Sequence, residues 1–159
     1  LCGNIAINNC FNVEALHLAV GDVDEIISIP QPNYFVPSSF GSMELKQSKY
    51  SEYIGQPLVK TELVNQATLD SLSLDGLALL KIDVEGMELE VLAGAERVIL
   101  NTRPIMWVEH TKVDGQALKS QLESWDYKVW NTGMNLLAIH NEDNVIDRIS
   151  EVDGNINIR

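Results

Sequence analysis

The stretch Leu77 to Val84, LALLKIDV, constrains the fold more than any other part of the chain. A short, almost continuous apolar run reads as a strand covered on both faces, as in a parallel sheet. Gly86 follows it and opens a second pattern, in which Met87, Val91, Leu92, Ala95, Val98 and Ile99 share one helical face. Glu88 and Glu90 stand in the first turns and Arg97 near the end, which complements a helix dipole. Pro104 forbids continuation. The expectation is one helix from Gly86 to about Leu100. A buried strand, a glycine turn and an amphipathic helix commit the chain to a layered α/β fold.

The remaining segments extend this alternation. Leu1 to Asn12 reads as the end of a helix and a turn. Val13 to Val20 alternates like a strand and is closed by Gly21-Asp22. Ile26 to Ile29 is a short strand ended by Pro30 and Pro32. Residues 31–57 lack periodicity, and so long an irregular stretch fits a functional loop or lid. Leu58 to Val64 is a further strand, and Thr68 caps a short helical turn. Ile105 to Val108 is a second buried strand. Asp114 caps a helix whose Leu118, Leu122 and Trp125 share a face. Tyr127 to Trp130 and Leu136 to Ile139 are strands joined by residues 131–135, too short a link for a parallel crossover, so this pair is antiparallel. The order predicts an α/β fold, a mostly parallel sheet with helices on both faces and a C-terminal antiparallel hairpin. The folded domain is expected over residues 1–140, followed by a polar tail at 141–159.

Charge narrows the partners. With 23 acids against 11 bases the net charge is −12, which disfavours nucleic acid and anionic membrane surfaces. The most apolar stretch, Leu74 to Leu80, is far too short to span a bilayer. Cys2 and Cys10 are too few for a disulfide framework or a zinc site and read as free thiols of a reducing compartment, the cytoplasm. Trp107, Trp125 and Trp130 fit core packing, and His17 a structural place. The chain begins at Leu1 rather than Met and is expected to be a fragment or a processed product.

The block LLKIDVEGMELEVLAGA (Leu79 to Ala95), with Arg103-Pro104-Ile105 and Glu109 after it, resembles the FkbM methyltransferase family. Asn4 to Asn8 with Asn12-Val13, Ala19-Val20-Gly21-Asp22 and Thr68-Leu69-Asp70-Ser71-Leu72 resemble other family segments in the same order. The resemblance implies a Rossmann-like methyltransferase sheet and transfer of a methyl group from S-adenosylmethionine to an oxygen of a sugar or other small molecule. It also implies an absence: two strand–helix units, roughly 60 residues, including the glycine-rich loop that would meet the cofactor. This segment alone is therefore expected to be inactive and to bind the cofactor poorly. The runner-up is a non-catalytic α/β scaffold or interaction segment without the cofactor loop.

Ligands of open α/β sheets sit beyond the carboxyl ends of the strands. Asp83 and Glu85 lie at that end of one strand, Glu109 and His110 at that end of the other. These four are the candidate catalytic residues, with Asp83 and Glu109 foremost. Neighbouring carboxylates can take a proton from an alcohol, one of them with a raised pKa, or hold a divalent cation. Both remain open, and no metal ligand set is assigned. Glu85 equally fits a residue favouring a helix N-terminus, and His110 a loop histidine. The resemblance adds Val20, Gly21, Asp22 and Asp83 as cofactor-binding positions. Acceptor identity and oligomeric state are not legible.

Overall fold

From its N-terminus the chain forms helix α1 (Cys2–Ile7), strands β1 (Ala19–Val20), β2 (Glu25–Gln31) and β3 (Lys60–Ala67), then β4 (Leu79–Ile82), helices α2 (Glu88–Ala93) and α3 (Glu96–Thr102), β5 (Ile105–Glu109), α4 (Gly115–Ser124), β6 (Tyr127–Asn131), β7 (Asn135–His140), β8 (Ile149–Val152) and β9 (Asn155–Ile158). This is a computed structural model; it describes residues 1–45, 49–51, 53–57, 60–152 and 155–159. The described strands make three sheets, ordered β1-β3-β2, β4-β5-β7-β6 and β8-β9.

The four-stranded sheet holds the core. Its two faces follow from the pleat, because successive residues of a strand point to opposite sides. Ile82, Met106, Val108, Leu136 and Ala138 face one way and pack with Val91, Leu92 and Ile99 of α2 and α3 and Leu118 and Leu122 of α4. Ile105, Trp107, Trp130, Leu137 and Ile139 face the other way. There they meet Val145, Ile146, Ile149 and Ile156, from the segment whose sequence reads as a polar tail. The expectation of helices on both faces is therefore corrected. α2, α3 and α4 all cover one face, and the C-terminal hairpin covers part of the other.

The expected parallel sheet is present in part. β4 and β5 are parallel, while β5 with β7 and β6 with β7 are antiparallel, as the short link at residues 131–135 requires. β4 is also not buried on both faces. Leu79 is 62% exposed, because β4 is an edge strand and the described residues place nothing over its second face.

In the three-stranded sheet β1 runs parallel to β3 and β2 antiparallel. The strand expected over Val13 to Val20 contracts to Ala19–Val20, since among the described residues only these two of that stretch find a ladder partner. Pro30 does not end β2. It sits opposite Thr61 within the ladder, tolerated because β2 is an edge strand and needs no outward N–H. β3 runs to Ala67, three residues past the expected end at Val64; the expected start at Leu58 lies outside the described residues.

The single helix expected from Gly86 to Leu100 is two helices, and the break has a cause outside the helix itself. A Cβ at Gly94 would stand 2.0 Å from the Gly21 carbonyl oxygen, so only glycine lets these two backbones meet. The Gly94 carbonyl accepts from the Asp70 N–H at 2.9 Å, which diverts it from the helix ladder. Asp70 in turn accepts from the Arg97 and Val98 N–H groups at 3.0 and 2.8 Å and caps α3. The expected cap by Thr68 is present, its hydroxyl accepting from the Ser71 N–H at 3.1 Å.

Gly94→Ala should force Gly21 and the α2–α3 junction apart and cost about 1–3 kcal/mol, the usual range for an overpacked site. Urea unfolding should show a lower midpoint with an unchanged slope. A wild-type midpoint would mean that the two backbones do not touch.

Candidate functional site

Parallel pairing of β4 with β5 sets the geometry. Ile82 stands opposite Val108, so the next residues, Asp83 and Glu109, come out abreast at the carboxyl ends of adjacent strands. Ile82 and Val108 point into the core, and the pleat sends Asp83 and Glu109 to the opposite face. Asp83 is paired with Lys81 at 2.8 Å, both about half exposed, and its carboxylate neighbours that of Glu109 across the two strand ends. The Thr111 hydroxyl donates to Glu109 Oε1 at 2.7 Å. The Lys81 ammonium holds the Asp83 carboxyl below the usual carboxylate range, so Asp83 is ionised at neutral pH. The raised pKa expected within such a group belongs to Glu88 instead. Burial pushes the Glu88 carboxyl up, and the Glu109 charge pushes it the same way.

Between β4 and α2 the chain makes a tight turn. Glu85 has φ +52° and Gly86 φ +101°, conformations that glycine accepts and glutamate disfavours. The Glu85 carboxylate pairs with Lys112 at 2.8 Å. Lys112, itself 9% exposed, also pairs with Glu44 at 3.2 Å and donates to the Ser42 carbonyl at 3.0 Å. Burial opposes the lysine charge, but the bonds to Glu85 and Glu44 outweigh it and hold the ammonium above the ordinary lysine range. One cation thus ties the irregular segment after β2 to the tips of β4 and β5.

The structure separates the four sequence candidates. Asp83 and Glu109 converge. Glu85 is committed to Lys112. His110 leaves on the core face and its Nε2 is bonded to the Gly133 carbonyl at 2.9 Å, beside Gly115 and Gln116. Of the cofactor candidates, Val20 packs on the core. Gly21 is wedged between Gly94 and Gln66, whose side chain would be 2.5 Å from a Cβ at Gly21. Asp22 lines a cavity of about 150 Å³ with Glu25, Ile27, Ser28, Leu45, Gln66 and Met87.

Lys81, Glu88, Thr111 and Lys112 are absent from the sequence reading of the site. Lys81 was findable, since a residue two before Asp83 on a strand shares its face. Lys112 was not, because Glu44 and Glu85 reach it only through the fold. Among the described residues no group of three or more His, Cys, Asp or Glu is placed to hold a metal ion. None of their helices is long and apolar enough to cross a membrane.

Known proteins give two likenesses. The family model described as "Methyltransferase FkbM domain" matches residues 3–129. A crystal structure of methyltransferase FkbM from Methylobacillus flagellatus KT is 25% identical over 49% of this chain and 24% of that one, with a TM-score of 0.43. The match thus spans about a quarter of the solved relative's length. Among curated proteins no match was found.

Replacing Lys112 by Met should remove the cation that Glu44 and Glu85 share and destabilise the fold by about 3 kcal/mol. The pH dependence has a definite sign. A lysine with a raised folded pKa stabilises below its unfolded value, and that stability is lost as pH rises through the higher folded value. Urea midpoints should therefore fall above the ordinary lysine value of 10.5 in the wild type, and by less in the Lys112→Met variant. Identical pH profiles would contradict the clamp.

Proposed function

The chain belongs to the FkbM methyltransferase family, and on that premise we propose that it serves S-adenosylmethionine-dependent O-methylation of a hydroxyl on a sugar or other small molecule, with Asp83 and Glu109 at the reacting centre. The observation that carries the reading is the parallel register of Ile82 opposite Val108, which sends these two carboxylates out abreast on one face at the carboxyl ends of neighbouring strands. Parallel α/β strands present their ligands at that end.

The cavity beside Asp22 suits part of the cofactor. Its apolar Ile27, Leu45 and Met87 and its polar Asp22 and Gln66 fit the flat, hydroxylated adenosine end, which Asp22 and Met87 would hold. S-adenosylmethionine, when bound, supplies an electrophilic methyl group. The rest falls to the protein. Asp83, kept ionised by Lys81, accepts the hydrogen bond of the acceptor hydroxyl and so directs its oxygen. As that oxygen forms its new bond to carbon, its proton passes to the Asp83–Glu109 pair. Thr111 keeps Glu109 facing its partner. A net charge of −12 favours a neutral or cationic acceptor over a polyanion. The same reading puts the enzyme in the cytoplasm, where free Cys2 and Cys10 stay reduced.

The test is transfer of labelled methyl from S-adenosylmethionine to a panel of hydroxylated small molecules by the natural full-length protein. Asp83→Asn should lower turnover by about 10²–10⁴-fold, the range of a lost general base, with the urea midpoint nearly unchanged. Wild-type turnover in that variant would remove Asp83 from the chemistry.

A further inference from the structure

Glu88 opens α2, two residues after Gly86, and is 2% exposed. Its Oε1 accepts from the N–H groups of Val84 at 3.3 Å and Gly86 at 3.2 Å. Its Oε2 is enclosed with no partner. Burying a carboxyl is costly, and an apolar side chain of that length would fill the space without the cost. What glutamate adds here is an acceptor for two backbone donors. Those donors flank Glu85, whose φ of +52° is a conformation that surrounding contacts must hold in place. Asp83 is the residue immediately before this held segment.

We propose that Glu88 is a positioning residue: by gripping the Val84 and Gly86 amides it fixes how the chain leaves β4, and thereby holds the Asp83 carboxylate abreast of Glu109. This deepens the reading of the carboxylate pair as proton acceptor and rests on it for its functional meaning. The charged groups around the pair and the turn are Lys81 beside Asp83, Glu109 on β5, and Glu85 with Lys112 on the far side of the turn. The Val84 and Gly86 amides themselves donate to Glu88 Oε1.

Three substitutions separate the grip from the charge. Glu88→Gln keeps the length and an acceptor oxygen. Glu88→Ala has neither. Glu88→Asp keeps the carboxyl group but falls one methylene short of the turn. The readouts are amide hydrogen exchange at Val84 and Gly86, and pH titration of the ¹³C carboxyl resonances of Asp83 and Glu109 in the chain as it stands. Neighbouring carboxylates that interact titrate in two mutually coupled steps. Glu88→Gln should preserve both the amide protection and the coupled titration. Glu88→Ala and Glu88→Asp should lower protection by about tenfold, the equivalent of one hydrogen bond, and turn the coupled curves into two independent ones. A folded Ala or Asp variant with wild-type coupling would overturn the proposal, as would loss of coupling in the Gln variant. Failure of both Ala and Asp variants to fold, with Gln native, would also overturn it by assigning Glu88 to the fold alone. None of these readouts involves methyl transfer, so they test the grip of Glu88 even if the methyltransferase reading fails.

Discussion

Everything at the candidate site depends on β4 and β5 lying side by side in parallel with Ile82 opposite Val108. Parallel pairing brings the carboxyl ends of both strands to the same edge. The register brings Asp83 level with Glu109. The two-residue repeat of a strand then decides which face they share, because the residues just before them are buried in the core. A shift of one residue in either strand would send one carboxylate toward α4 and leave the other alone. The core therefore fixes the site: Met106 and Val108 on β5 and Ile82 on β4 cannot leave the interior without large loss of apolar burial.

The tips of these strands are held from several sides. Lys81 keeps Asp83 ionised from within β4, and Thr111 orients Glu109 from just beyond β5. Lys112 reaches across to Glu85 and ties the turn to Glu44 and Ser42 in the irregular segment. Behind the turn, Gly94 meets Gly21 in backbone contact, which sets the start of the Asp22 loop against the α2–α3 junction. The position just after β1 and the tips of β4 and β5 are thus parts of one packed arrangement, with the Asp22 cavity sharing Met87 with the start of α2.

Local signals were legible in the sequence. The apolar runs of β4 and β5, the short link that makes β6 and β7 antiparallel, and the caps at Thr68 and Asp114 all depend on neighbours in the chain. Asp114, for example, accepts from the Gln116 and Ala117 N–H groups at 3.0 and 3.2 Å. What failed depends on distant partners. The face of Met87 to Ile99 reads as one helix because its periodicity is unbroken. The break comes from Gly21 and Asp70, which the pattern does not contain. Alternation from Val13 onward suggests a strand, but among the described residues no strand pairs with Val13 or Leu16, which are 47% and 53% exposed. At the site, the Asp83–Glu109 pairing followed from strand order, whereas the diversion of Glu85 to Lys112 and of His110 to Gly133 needed the third dimension.

The shared face of Asp83 and Glu109 can be measured by cross-linking. In a background carrying Cys2→Ser and Cys10→Ser, the pairs Asp83→Cys with Glu109→Cys and Asp83→Cys with His110→Cys would be treated with a bifunctional thiol reagent spanning about 5 Å, the spacing of neighbouring strands. The first pair should link rapidly and intramolecularly, and the second should not, because His110 leaves on the other face of the sheet. Linking of the second pair in place of the first would show that the two carboxylates do not share a site.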